Sequence, residues 1–430
     1  SHNPPAVASA QRGCGRRSMT QALLTQFPPT REAAYARLAA INPAAYARTR
    51  NAIEGAVTRL SPYLTHGLLS LREVYDTVNA RHPLDAKHKF VFELGWRAYW
   101  HHVWEHLGDG IHQSLHARLL PDDAYQREVP ADVLEARTGI PAIDMAVREL
   151  YETGYLHNHA RMWLASYVVH LCKVHWHAGA QWMLGHLLDG DVASNHLSWQ
   201  WVAGTGSSKP YLFNADNVAK YAAAQWHSPG TAIDTSYEAL DHIARDAAMQ
   251  LSPGERRANA TSVRADSGVA QPALHNTPPG AEWCAPDGTL VARRDVLLLH
   301  PWSMGAIPPT ARADVLVIGI GLPPCHAQTP WSTLRWRFVT EGLQAQITQP
   351  THLWWGDVAQ VAQALQAARS VTWQANPHVD GTMAAVQTFW TSAGHGPLAK
   401  PYQQPPLFAP VDKHCHSFSE WWRKTHLIDP

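Results

Sequence analysis

Asp189 and Asp191, two residues apart in LLDGDVASN, are carboxylates set in an otherwise apolar stretch. The segment has the opening of a calcium loop, but Ser194 stands where the sixth-position glycine belongs and Gln200 where the twelfth-position glutamate belongs. Calcium is therefore rejected. Carboxylates in such surroundings still need donors, and a ligand rich in N–H and hydroxyl groups would supply them. Two histidine pairs at i,i+4, His102 with His106 and His112 with His116, could share a metal ion. HEXXH is absent, and zinc needs further ligands with their own supporting bonds, so packing histidines and no metal are expected. VIGIGLPPC offers a GxG after an apolar run, with Pro324 on the third glycine of a dinucleotide fingerprint. An ordinary strand-end turn is the better reading. Neither GxSxG nor a Walker A loop occurs, which argues against a serine hydrolase or a P-loop enzyme.

The chain carries 19 Trp and 27 His, which raises the question of a flat aromatic cofactor or an electron path. Its 430 residues favour two domains, and 45% apolar residues exclude a mainly disordered protein. Lys+Arg and Asp+Glu both number 35, so any contact with DNA must come from a local patch. No apolar run reaches the roughly 18 residues of a membrane helix. The opening SHNPPAVASAQRGCGRR lacks the order of a secretory signal, and the five scattered cysteines form no CxxC. A reducing, cytoplasmic setting is expected.

The elements that must position these groups change character along the chain. Residues 1–30 read as a loose arm. From Arg31 to about residue 227 the apolar spacing is helical, as in REAAYARLAAI, FVFELGWRAYWHHVWEHL and HARMWLASYVVHLCKVHW. Residues 228–292, with SPG, NTPPG and APDG around one helical stretch, read as a linker. From 293 to 430 the runs DVLLLH, ADVLVIGIG, THLWWGD and SVTWQ have strand length and alternate with helical segments, predicting a small parallel, Rossmann-like α/β domain. The fold class expected is α plus α/β.

Four segments fall in one order: Tyr46 with ARTRNAIEGAVTRLSPYLTHGLLS, FELGWRAYW around Trp96, TGIPAIDMAVRELYETGYLHNHARM, and LLDGDVASNHLSWQWVAGTG. Together, over about residues 40–220, they resemble the helical FAD-binding domain of the DNA photolyase/cryptochrome family. The resemblance implies FAD as cofactor and a role for each matching position. Tyr46, Thr58, Arg59, Leu60, Ser61 and Arg97 correspond to contacts with the FAD phosphates and ribityl chain, where hydroxyls and backbone N–H groups at a helix start cradle anionic oxygens. Asp189 and Asp191 correspond to the acidic pair near the flavin ring and ribose, with Arg161 as the partner of Asp189, and Asn195 to the residue facing flavin N5. Glu93, Trp96, Asn158, Met162 and Trp201 match the pyrimidine-dimer pocket, where Asn158 also borders the cofactor. Two tryptophans there could stack on a flipped lesion. Trp199 and Trp176 match the first two members of the photoreduction chain. Its third member has no clear counterpart, with Tyr125 near the expected place.

The sequence also departs from that family. The α/β segment follows the helical domain instead of preceding it, which leaves an antenna chromophore unsupported. His159 replaces the arginine of an HNR segment, so DNA contacts would rest on Arg97, Lys209 and Lys220. The function this implies is light-driven, FAD-dependent repair of cyclobutane pyrimidine dimers in DNA, a lyase reaction with damaged DNA as partner and no membrane. The alternatives are a cryptochrome-like blue-light sensor acting through a protein partner, and a flavoenzyme of this fold working on a small molecule.

Overall fold

The computed structural model describes residues 26–251, 268–305, 307–308, 314–392, 394 and 396–429. The first half is helical, as the spacing predicts: α1 (Arg31–Ala39), α2 (Pro43–Thr49), α3 (Ser61–Thr65), α4 (Leu71–Arg81), α5 (Lys89–Leu107), α6 (Ala131–Leu134), α7 (Pro141–Thr153), α8 (Asn158–Ser166), α9 (Trp176–His186), α10 (Val192–Ala203), α11 (Ala215–Tyr221) and α12 (Tyr237–Arg245). Polar caps set these limits. Ser70 and Glu73 cap α4 reciprocally, while Asp191 accepts the Ser194 N–H to start α10 and Gly204, at φ 81°, ends it.

The second half holds β1 (Leu274–His275), α13 (Gly288–Val291), β2 (Asp295–Leu299), β3 (Leu316–Gly321), β4 (Trp331–Ser332), α14 (Thr333–Gln344), β5 (Leu353–Trp355), α15 (Val358–Leu365), β6 (Ser370–Gln374), α16 (Asp380–Ser392), β7 (Leu398–Tyr402) and α17 (Phe418–Lys424). Five strands form a sheet in the order β5-β3-β2-β6-β7, every neighbouring pair parallel. This is a doubly wound order, reversing direction between β2 and β6. The four runs predicted as strands are β2, β3, β5 and β6. β7 was not predicted, because LAKPY is an exposed edge strand with a proline and little apolar signal.

Three expected boundaries change. Residues 1–25 of the arm lie outside the described residues, but Phe27 is fully buried against Tyr63 and Tyr155. The described parts of the expected linker are packed: Ile233 and Leu240 enter the helical core, and β1 pairs with β4. The second half is not set apart either, since one apolar cluster runs from Leu68, Val91 and Leu197 into Leu298, Ile318 and Phe338.

The two halves also share buried polar bonds. His66 sits between the carbonyls of Pro301 (2.5 Å) and Leu188 (2.7 Å). Arg335, wholly buried on α14, donates to Leu184 O (3.1 Å) and Gly190 O (2.7 Å) in the helical half. The crevice where a doubly wound sheet usually takes its ligand lies at the carboxyl ends of β2 and β6. It is filled here. His300 bonds Gln374 O (2.8 Å), and Trp302 stacks on His378 at 4.7 Å. Gly319 and Gly321 of the GxG lie against Leu353, Trp283 and Trp355, so close packing accounts for both glycines. Among the described residues no helix is long and apolar enough to cross a membrane.

Two outcomes follow from this packing. Arg335→Met leaves two buried carbonyls without donors and should lower unfolding free energy by about 2–4 kcal/mol in urea titration. Burial holds the His157, His170, His186 and His300 rings neutral, with pKa near 4 against the usual 6.5. The unfolded chain therefore binds more protons below pH 6.5, so stability is complete above that value and lost as pH falls toward 4. The urea midpoint should fall between about pH 7.5 and about pH 5, and an unchanged midpoint would contradict the assignment.

Candidate FAD site

The turn Asp189–Gly190–Asp191 joins α9 to α10 at the centre of the helical half. Asp189 is buried and accepts from Arg161 Nη2 (2.7 Å) and Ser61 Oγ (2.5 Å), while its backbone carbonyl accepts from Thr65 Oγ1 (3.1 Å). Its second oxygen, Oδ1, is buried with no partner. Asp191 is buried too, but turns away to cap α10 and to take His101 Nε2 at 3.0 and 3.1 Å. Although desolvation opposes ionisation, His101 and Arg97 hold its carboxyl well below the ordinary range. Arg335 lies behind the turn, close enough that a Cβ on Gly190 would fall 2.3 Å from its Nη1. Burial lowers the Arg335 pKa to about 9, opposed by Asp189 and Asp191.

Two cavities meet in front of this turn and share Ser61, Arg97, Tyr155 and Asn158 in their walls. The first is lined by Tyr46, Thr58, Arg59, Leu60, Glu93 and His159, the second by Arg161, Met162, Asp189, Asn195 and Trp199. Every residue expected to touch the cofactor therefore lies in one wall or the other, except Asp191. The turn before α3 is built for close approach: Arg59 sits at φ 53°, with its guanidinium 5.6 Å from the Tyr155 ring. α3 has only five residues, so hydroxyls and guanidinium groups outweigh the helix start as anion partners. Asn195 donates its amide to Ala180 O (2.9 Å), leaving its side-chain oxygen as an acceptor.

The pocket residues separate. Glu93 pairs with Arg50 (Nε, 3.4 Å), and burial raises its carboxyl pKa despite that neighbour. Asn158 donates to Met162 Sδ (3.3 Å) where the cavities meet. Trp96 and Trp201 line neither cavity. Phe418 of α17 is stacked on Trp96 with ring centres 4.1 Å apart, and Trp201 leans on Tyr211 at 5.8 Å. Both rings are half-buried, and Phe418 covers one face of Trp96. Arg97, expected also as a DNA contact, lines both cavities and donates to Thr65 Oγ1 (3.0 Å), while Lys209 and Lys220 are exposed.

Trp199 lines the second cavity and packs across Gly179 of α9. Trp176 begins the same helix, donates to Ser114 Oγ (2.9 Å), and borders a small void with Tyr125. Arg50, His101, Arg335 and His378 were not predicted. His101 had a signal, because Glu93, Arg97 and His101 recur at i,i+4 on the apolar helix α5. The flagged pair His102 and His106 instead bonds the chain at Cys415 N and Asp412 O.

Fold and walls define a helical domain shaped for an elongated cofactor with anionic and hydroxyl-rich parts. Residues 90–261 match the family model described as the FAD binding domain of DNA photolyase. A deoxyribodipyrimidine photo-lyase of Streptomyces griseus is 38% identical over 156 residues, covering 35% of this chain and 33% of that protein. A cryptochrome DASH of Gloeobacter violaceus is 33% identical over 170 residues, 38% of this chain and 34% of that protein. A solved archaeal photolyase from Sulfolobus tokodaii, with two FAD molecules, aligns at 30% identity and a TM-score of 0.39 over 45% of this chain and 44% of that one. The chain thus spans about a third of the length of these two curated relatives.

FAD fits the walls. The unpartnered Asp189 Oδ1 needs a donor, which a ribityl hydroxyl or ring N–H provides, and Thr58, Arg59, Ser61 and Arg97 suit its phosphates. Asp189→Asn removes the charge that pairs with half-buried Arg161 while keeping the side-chain shape. It should weaken FAD binding at least tenfold in a fluorescence titration, and wild-type affinity would contradict the assignment.

Proposed function

We propose that the chain is a light-driven, FAD-dependent repair enzyme for cyclobutane pyrimidine dimers in DNA. The observation that carries this reading is the meeting of the two cavities: Asn158 lies in the walls of both, Glu93 in the first, and Asp189 and Asn195 in the second. Bound there in its reduced form, FAD would supply a light-excited electron and receive it again after the cyclobutane ring opens. Glu93, its carboxyl pKa raised by burial, would donate a hydrogen bond to the dimer carbonyls as negative charge develops on them, and the Asn158 amide would do the same. Met162 would fill the space beside them. Trp199 and Trp176 would pass electrons inward to restore the reduced cofactor, with Tyr125 as the outer member. Damaged DNA is the partner, reached through Lys209 and Lys220, and the cytoplasm is the setting. Relatives named deoxyribodipyrimidine photo-lyase support this reading.

One observation favours a second reading. Phe418 covers a face of Trp96 that a flipped base could use, which suits a sensor signalling through its C-terminal segment. Reduced protein should restore thymine absorbance in a dimer-containing oligothymidine under blue light and not in the dark. Glu93→Ala should lower the repair yield about tenfold at unchanged FAD content. No light-dependent recovery from FAD-loaded protein would overturn the repair function, and full repair by the variant would overturn the Glu93 role. Trp176→Phe should slow photoreduction at least tenfold in flash spectroscopy while leaving repair by chemically reduced protein unchanged. Equal photoreduction rates would exclude Trp176 as a relay.

A further inference from the structure

His112, His177 and His196 converge on the side of α10 away from the flavin cavities, each presenting one ring nitrogen within 4.8 Å of the other two. His177 Nε2 and His112 Nδ1 are 3.4 Å apart. That is long for an N–H···N hydrogen bond, but it equals the edge of a tetrahedron with zinc–nitrogen bonds of about 2.0–2.1 Å, about 3.3–3.4 Å. The His196 ring is completely buried and, apart from the Val192 carbonyl one turn back, has no hydrogen-bond partner. His112 and His177 are half-buried, so the third side of the cluster reaches solvent.

The surroundings hold this geometry in place. Gln200, fully buried on α10, donates to Ile111 O (3.0 Å) and Gln113 O (2.9 Å) and accepts from Leu115 N (2.9 Å), clamping the loop that carries His112. His177 is fixed at the start of α9, where its backbone N–H is taken by His175 (3.2 Å).

We propose that His112, His177 and His196 bind a divalent transition-metal ion of the zinc class, with water in the fourth position. Three imidazoles without a thiolate suit zinc better than the hard oxygen-seeking cations. The ion would tie the 111–115 loop to α9 and α10. The flagged sequence pair, His112 with His116, is not the pair that converges: His112 meets partners 65 and 84 positions further along the chain.

The test uses the full chain, stripped with a chelator and then given zinc. One zinc per chain is expected by elemental analysis, with sub-micromolar affinity against a chromophoric indicator and a raised melting temperature. His112→Gln and His177→Gln, both half-buried, should each weaken binding at least tenfold, with helical circular dichroism and FAD content unchanged. Cobalt(II) in the wild-type protein should give the intense visible bands of a tetrahedral site. That measurement needs no variant. Weak octahedral-type bands, or zinc affinity equal in wild type and the His112→Gln/His177→Gln double variant, would overturn the proposal.

Discussion

The fold depends on burying the two carboxylates of a single turn. Asp189 and Asp191 lie within a few residues of each other in an apolar interior, where two uncompensated charges could not remain. The chain surrounds them with donors from far apart in sequence: Ser61, Arg161 and His101 from the helical half, and Arg335 bonded to the turn's own backbone from the other. Each donor fixes an element. Arg161 orients α8, His101 orients α5, and Arg335 draws α14 and the sheet behind the turn. The cost of desolvating the pair is met by contacts that also define how the two halves pack.

That arrangement explains why the flavin cavities and the α/β half cannot be treated separately. At the front of the turn Asp189 lines the second cavity, and one of its carboxylate oxygens is buried without a partner. Its back is closed by Arg335 and His378, and the stacked pair His378 and Trp302 occupies the crevice a free doubly wound sheet would offer to a nucleotide. The α/β half here serves as a buttress for the turn. α17 extends the same role to α5, with Phe418 and Trp422 packed over Trp96 and Gly95.

Much of this was legible from local sequence. Helical spacing marks α1, α4, α5, α7, α8 and α12, and the short apolar runs mark β2, β3, β5 and β6. The partnership of Arg161 with Asp189 followed from the family resemblance, because only a buried carboxylate gives that arginine a reason to be there. What stayed hidden depends on contacts between distant residues. Arg335 lies 145 positions from the carbonyl it bonds, and nothing in TLRWRFVT marks it as the arginine that faces inward. Trp96 has the neighbours of a pocket residue, and only the return of Phe418 across α5 covers it. The edge strand β7 is exposed and carries a proline, so periodicity could not reveal it.

The most direct measurement is a crystal structure of the chain grown with FAD. The account predicts one FAD spanning both cavities, a donor of the cofactor bonded to Asp189 Oδ1, and the Arg161 and Ser61 contacts unchanged. Cofactor bound elsewhere, or Asp189 Oδ1 still without a partner beside bound FAD, would contradict it.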